Sequence, residues 1–214
     1  YDLLNRVITL GVDVIWRKRV VRLIQKNKHQ MLLDIATGTG DLVLALSKLK
    51  TKKIIGLDIS PGMLEIGKQK VKAQGLDQRI EMQLGDSEAL SFENDTFDGV
   101  TIAFGVRNFE HLDLGLQEIR RVLKPQGALV ILETAVPQNP ILKSLYSLYT
   151  QKVMPFIGKL FSKNRTAYQY LSDSAAAFPC GKAFNNILKK NGFIAVEDFP
   201  QTLGVASIYF AKKP

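Results

Sequence analysis

The sequence predicts an α/β protein built on one mixed seven-stranded sheet, its last strand antiparallel, with helices on both faces. Three observations carry that expectation. Strand-like and helix-like patterns alternate from residue 31 to residue 133, which argues parallel strands joined by crossover helices. A glycine turn, Gly38-Thr39-Gly40, lies between the first strand and its helix. Near the end, "FIAVEDFPQ" and "LGVASIYFA" follow each other with no helix between them, so one of them must return antiparallel.

The elements follow in order. Apolar residues at helical spacing, Leu3, Leu4, Val7 and Ile8, then Val14, Ile15, Val20, Val21, Leu23 and Ile24, predict two opening helices. "MLLDIA" is a first strand over residues 31–36, with a helix beginning at about Leu42. "KIIGLDI" is the second, and Pro61 suits the first turn of the helix after it. "IEMQL" and "FDGVTIAF" are the third and fourth strands. The helix "LGLQEIRRVL" stops at "KPQG", and "ALVILE" is the fifth strand. Between it and the final hairpin lies a long section, residues 137–192, whose "ILKSLYSLYTQKVMPFIGKLF" has apolar residues three and four apart. It reads as a helical insertion on the substrate side of a single domain spanning 1–214, with residues 1–30 as an N-terminal helical cap.

Bulk properties narrow the function. A chain of 214 residues, 46% hydrophobic and 23% charged, can bury a substantial core. No window approaches the roughly 18 apolar residues of a membrane-spanning helix. One cysteine, Cys180, makes no internal disulfide and fits a reducing compartment. With only His29 and His111 beside it, no metal site is expected. Residues 1–136 carry 19 Lys/Arg against 17 Asp/Glu, whereas residues 137–214 carry 10 against 3. A second basic cluster, Arg17, Lys18, Arg19, Arg22, Lys26 and Lys28, opens the chain. Such surfaces suit anionic partners or act simply as a solvated face. The chain begins at Tyr1 rather than Met, which leaves an upstream targeting segment open.

The sharpest motif is "LDIATGTGDL", residues 33–42. Val43 stands where a dinucleotide fingerprint places its third glycine, and no P-loop Lys-Ser/Thr follows. Asp34, Asp41, Asp58 and Asp86 fall at or just after successive strands, where open α/β sheets bind ligands. Asp58 comes 20 residues after Gly38, a spacing suited to a ribose diol. Four acids repel a pyrophosphate but suit a ribose, an ammonium and a sulfonium together, as in S-adenosyl-L-methionine. One or two of the four also read as helix caps, Asp41 first among them.

These residues resemble a known family. "DIATGTGD", "GLDIS", "GDSEALSFENDTFDGV" and "RVLKPQGALVILE" resemble the class I methyltransferases, a Rossmann-like fold. "YDLLNRVITLGVDVIW", "TIAFGVRNFEH", "LYSLYTQKVMPFIGKLFS" and "YQYLSDSAAAFP" narrow the resemblance to the ubiquinone/menaquinone biosynthesis C-methyltransferases, over essentially the whole chain. There are departures. Gln126 replaces a usual glycine and Ala135 a serine, while Leu4, Thr9 and Asp13 stand for a methionine, a serine and often a histidine.

The resemblance implies methylation of a prenylated quinol ring carbon: demethylmenaquinol to menaquinol, or the benzoquinol step of ubiquinone synthesis. It implies cofactor contacts from Asp34, Gly38, Thr39, Gly40, Asp58, Ile59, Asp86, Ser87 and Ala103, and substrate contacts from Tyr1, Phe109, Tyr168 and Tyr170. The two tyrosines of the insertion read equally as packing aromatics. Arg107 and Asn108, at the mouth of a core strand, are the expected catalytic pair. A ring carbon becomes nucleophilic as a neighbouring hydroxyl ionises, and a fixed cation stabilises that oxygen. Arginine is a poor base, so a water held by the pair, or another residue, must carry the proton. The plainer reading makes Arg107 a structural ion-pair partner and Asn108 a turn residue. His111 is an alternative proton acceptor or an exposed loop histidine.

A prenylated quinol stays in the bilayer, so a cytoplasmic enzyme with transient contact to an anionic membrane surface is expected, with an organellar location and a homodimer left open. Nucleic acid is not expected, since no Asn/Asp-Pro-Pro-aromatic element replaces "FGVRN". The competing readings are a methyltransferase of another small molecule or RNA, a dehydrogenase, and a membrane-surface module without catalysis. Tyr149 and Lys152 lie three apart rather than the four of short-chain dehydrogenases. Cys180 after Pro179 reads as a small buried cysteine.

Overall fold

The computed structural model describes residues 11–25, 30–137, 139–141, 144, 174 and 177–214. Expectations for Tyr1, the apolar run Leu3–Ile8, Tyr149, Lys152, Tyr168, Tyr170, and most of the 137–192 insertion lie outside them.

Seven strands form one sheet: β1 (Met31–Ile35), β2 (Lys53–Asp58), β3 (Ile80–Leu84), β4 (Phe97–Ala103), β5 (Leu123–Thr134), β6 (Ile194–Gln201) and β7 (Ala206–Lys212). Their order is β3-β2-β1-β4-β5-β7-β6. The pairs among β1 to β5 are parallel, and β7 runs antiparallel to both β5 and β6. The expected mixed sheet with an antiparallel last strand is therefore present. The order reverses between β1 and β4, which is the switch point where an open sheet leaves a crevice at its carboxyl edge.

Alternation along each strand divides the core. Leu33 and Ile35 of β1, Leu129 and Ile131 of β5, and Tyr209 and Ala211 of β7 share one face. Leu32, Ala128, Val130, Leu132, Ala206 and Ile208 share the other. Both faces are apolar because both are covered by helices, as the near-continuous hydrophobic runs of the central strands require.

Helices α1 (Asp13–Ile24), α2 (Asp41–Leu46) and α3 (Pro61–Ala73) cover the second face through Trp16, Val20, Val43, Leu46, Leu64 and Val71. Helix α3 starts as expected: Pro61 occupies its first turn and the Ser60 hydroxyl accepts from the Met63 N–H at 3.4 Å. Helix α4 (Leu112–Val122) buries Leu116, Ile119 and Val122 on the first face. Helix α5 (Lys182–Lys190) joins it through Phe184 and Leu188, both fully buried. Although α5 falls inside the segment read as an insertion, these two side chains belong to the core.

The second opening helix expected is present as α1; Trp16, Val20 and Ile24 are its buried side, whereas Val14 and Ile15 are 39% and 64% exposed. Asp13 of the same helix is also wholly buried and binds Arg17. Strand β5 begins at Leu123 and runs through "KPQG", with its register to β4 shifting between Phe97 and Gly99. Gln126 sits there at φ +63°, the left-handed region that favours glycine.

Candidate active site

At the carboxyl edge the chain leaves β1 and β4 through two residues in left-handed backbone, Ala36 (φ +53°) and Phe104 (φ +57°). Such backbone is costly away from glycine and clusters where function over-determines it. Between these exits lies a cavity of about 350 Å³, within the range of small-molecule sites.

Its wall brings together most of the sequence-predicted residues. Asp34, Gly38, Thr39, Asp58, Ile59, Asp86, Ser87, Ala103, Asn108 and Phe109 all line it, from the ends of β1, β2, β3 and β4 and the loops after them. Gly40 does not; it turns the chain at φ +82° as the residue before α2. Asp41 lines the wall as the first residue of α2, and the N-cap of that helix is Gly40. Asp41 is ion-paired with Lys70 Nζ at 2.9 Å and Arg17 Nη2 at 3.6 Å.

The acids also build the loops that carry them. Asp58 accepts from the Gly38 N–H at 2.7 Å and the Ser60 N–H at 2.9 Å, tying the glycine loop to the end of β2. Asp86 accepts from the Glu88 N–H at 2.9 Å. Asp34 accepts from the hydroxyls of Thr37 and Thr101, each at 2.6 Å. Burial pushes the Asp34 carboxyl up to about 7, against the pull of those two hydroxyls and of the Arg17 charge. His111, its side chain 66% exposed, sits 3.1 Å from Glu88 through Nδ1, and its N–H holds Glu88 below the usual carboxylate range.

Arg107 occupies a different place from the one expected of a catalytic cation. Its side chain is 3% exposed, it is not on the cavity wall, and Nη1 is ion-paired with Glu133. The Arg107 N–H also donates to Glu133 at 3.4 Å. Its Nε–H is buried with no hydrogen-bond partner among the described residues. Asn108, closing the short 3₁₀ turn Val106–Asn108, does reach the wall. Sequence reasoning missed both Glu133 and Arg17, a wall residue. An acid ending an apolar strand was the available signal for the first; nothing local marked the second. Cys180 is half-buried rather than buried.

The model of the ubiE/COQ5 methyltransferase family matches residues 1–213. This chain belongs to that family. It is a methyltransferase. The chain is 42% identical to a demethylmenaquinone methyltransferase of Bacteroides fragilis, covering all of this chain and 87% of that one. It is also 42% identical to a ubiquinone/menaquinone biosynthesis C-methyltransferase UbiE of Geobacter sulfurreducens, covering all of this chain and 84% of the relative. Among solved structures, a SAM-dependent methyltransferase from Aquifex aeolicus superposes with a TM-score of 0.66 at 17% identity, over 92% of this chain and 89% of that one. Haemonchus contortus phosphoethanolamine N-methyltransferase 2, solved with S-adenosyl-L-methionine, gives 0.68 at 18%, over 93% and 52%. At these identities the likeness is one of fold.

The cavity of this ubiE/COQ5 member suits S-adenosyl-L-methionine, the methyl donor expected from the sequence, chemically. Its glycine loop lets a ligand approach the backbone, and its acids match ribose hydroxyls and positive charge. At Gly105 a Cβ would stand 2.4 Å from the Ala36 Cβ, so only glycine allows β1 and β4 to end side by side here.

Proposed function

We propose that the protein methylates a ring carbon of a prenylated quinol, converting demethylmenaquinol to menaquinol or performing the benzoquinol step of ubiquinone synthesis. The observation that carries this reading is the Arg107–Asn108 turn at the mouth of β4. Asn108 and Phe109 stand on the cavity wall, and Arg107, preceding them in the chain, carries a buried Nε–H without an acceptor among the described residues. The printed names of the relatives supply the substrate class.

The methyl donor of this proposal is S-adenosyl-L-methionine, which when bound supplies the electrophilic methyl group. The protein's own part is to hold the quinol ring, exclude water and stabilise the developing ring oxygen anion. Asn108, on the wall, is the donor that orients the ring oxygen, and Arg107, held behind it by Glu133, fixes that turn and adds its positive charge to the site. A preorganised charge in a buried site acts more strongly than one in water. Residues 1–30 are read as an N-terminal helical cap and 137–192 as the substrate-side insertion of this single domain, with Tyr1, Tyr168 and Tyr170 among the substrate contacts.

Peripheral contact with an anionic bilayer belongs to the same proposal. Lys18, Arg19 and Arg22 are exposed on α1 beside Ile15, and Leu203, 73% exposed, sits on the β6–β7 turn. Trp16 Nε1 joins these two elements by donating to Thr202 Oγ1 at 2.9 Å. Cations near such a surface contribute about 1 kcal/mol each. No helix among the described residues is long and apolar enough to cross a membrane.

The deciding experiment is methyl transfer from labelled S-adenosyl-L-methionine to reduced demethylmenaquinone and to a reduced benzoquinone precursor, for wild type and Arg107→Ala. Transfer by wild type and a loss of about 100-fold or more in the variant, with S-adenosylhomocysteine binding retained, is expected. Transfer to neither quinol overturns the substrate assignment.

A further inference from the structure

A methionyl ligand brings a carboxylate as well as an ammonium, and the cavity is poorly disposed toward the carboxylate. Six acids line it: Asp34, Asp41, Asp58, Asp86, Glu88 and Glu110. Among the described lining residues, Arg17 is the one Lys or Arg. It reaches the wall from α1, outside the glycine loop and the strand ends that supply the rest of the site.

We propose that Arg17 binds the carboxylate of the methionyl end of S-adenosyl-L-methionine, and that buried Asp13 orients it. The Arg17 side chain is 12% exposed, and Nη1 donates to Asp13 Oδ2 at 2.6 Å. Asp13 is wholly buried one helical turn earlier, so it fixes the guanidinium from below. A guanidinium has five donors in one plane, and this bond uses one of them. Nη2 stands 3.6 Å from Asp41 Oδ2, an ion pair too long for a hydrogen bond.

The other nearby cation is committed elsewhere. Lys70 Nζ donates to Thr39 Oγ1 at 2.8 Å and Asp41 Oδ1 at 2.9 Å, and it does not line the cavity. Asp13, Arg17, Asp41 and Lys70 thus form a charge-balanced group at this end. Among the described residues, Asp58, Asp86, Glu88 and Glu110 have no Lys or Arg beside them on the cavity surface. A ligand carboxylate meets less repulsion at Arg17 than at any other described part of the wall. Because Arg17 belongs to α1, the same contact ties that helix to the glycine loop when cofactor binds.

This inference rests on the cofactor assignment, and the test separates the two. Calorimetric titration compares S-adenosylhomocysteine with its decarboxylated analogue, which keeps the amine and lacks only the carboxylate. The variants are Arg17→Lys and the paired Asp13→Asn/Arg17→Gln, which leaves no buried charge alone; circular dichroism melts verify folding. The paired variant is expected to bind S-adenosylhomocysteine about tenfold or more weakly while holding the decarboxylated analogue within about twofold. Arg17→Lys is expected to recover part of the loss. Equal weakening toward both ligands, or toward neither, overturns the role of Arg17. Failure of wild type to bind S-adenosylhomocysteine overturns the cofactor assignment itself.

Discussion

The Arg107 guanidinium is buried against the Glu133 carboxylate, with side chains 3% and 0% exposed, where the chain leaves β4 beside the end of β5. Glu133 also accepts from the Thr134 N–H at 2.8 Å and hydroxyl at 3.1 Å. Removing one member of such a pair leaves a buried charge without its counter-ion, at a cost of about 3–5 kcal/mol. Glu133→Ala is therefore expected to lower stability by that amount in urea unfolding. Glu133→Gln keeps the shape and part of the hydrogen bonding. It is expected to keep S-adenosylhomocysteine binding while lowering methyl transfer by about tenfold or more. Full transfer by Glu133→Gln would deny the carboxylate any role in placing Arg107.

Asp34 predicts a pH dependence of stability. Its carboxyl is raised from 3.8 to about 7 in the fold, chiefly by burial. Between those values the native state holds a proton that the unfolded chain has released, so stability falls as pH rises through this window. Below it both states are protonated, and above it both are ionised, with the loss complete. The slope approaches about 1.4 kcal/mol per pH unit in mid-window. Asp34→Asn is expected to remove this contribution; unfolding curves of both proteins across pH 4–8, on the order of one unit apart, are the check. A wild-type profile identical to that of the variant would refute it.

Gly105 predicts a steric rescue. An alanine there places its Cβ 2.4 Å from the Ala36 Cβ, on the neighbouring strand exit. Overpacking of this kind costs about 1–3 kcal/mol, and the displaced turn carries Asn108 with it. Gly105→Ala is expected to lower both stability and methyl transfer. Adding Ala36→Gly removes the opposing methyl and relieves the left-handed backbone at φ +53°. The double variant should regain most of the loss, a non-additivity read from a double-mutant cycle.

Gln126 is exposed at φ +63°. Gln126→Gly exchanges an unfavourable left-handed residue for one without that penalty. A stabilisation of about 1 kcal/mol is expected, read as a higher urea midpoint with unchanged slope.

The membrane proposal concerns Ile15 and Leu203, 64% and 73% exposed. Ile15→Ser with Leu203→Ser should reduce co-sedimentation with anionic vesicles several-fold, while transfer to a detergent-solubilised quinol stays unchanged. Equal sedimentation of variant and wild type would remove these two side chains from any docking face.

Much of this protein was legible one segment at a time. Hydrophobic alternation located β1 to β4 within a residue or two, and the antiparallel hairpin followed from two strands without a helix. Pro61 and the glycine turn marked real helix starts, because backbone geometry restricts which residues serve there. The acids after successive strands pointed to one cavity because parallel strands all end on the same edge. Only the tertiary structure decided how the charges are paired. Arg107 meets Glu133 because β4 and β5 are neighbours, and Arg17 meets Asp41 because α1 lies over the glycine loop. It also turned Asp13 inward and left Ile15 outside, against the apolar pattern of the helix. Periodicity is a property of the local backbone, whereas an ion pair depends on which distant segments the sheet order brings within a few ångströms.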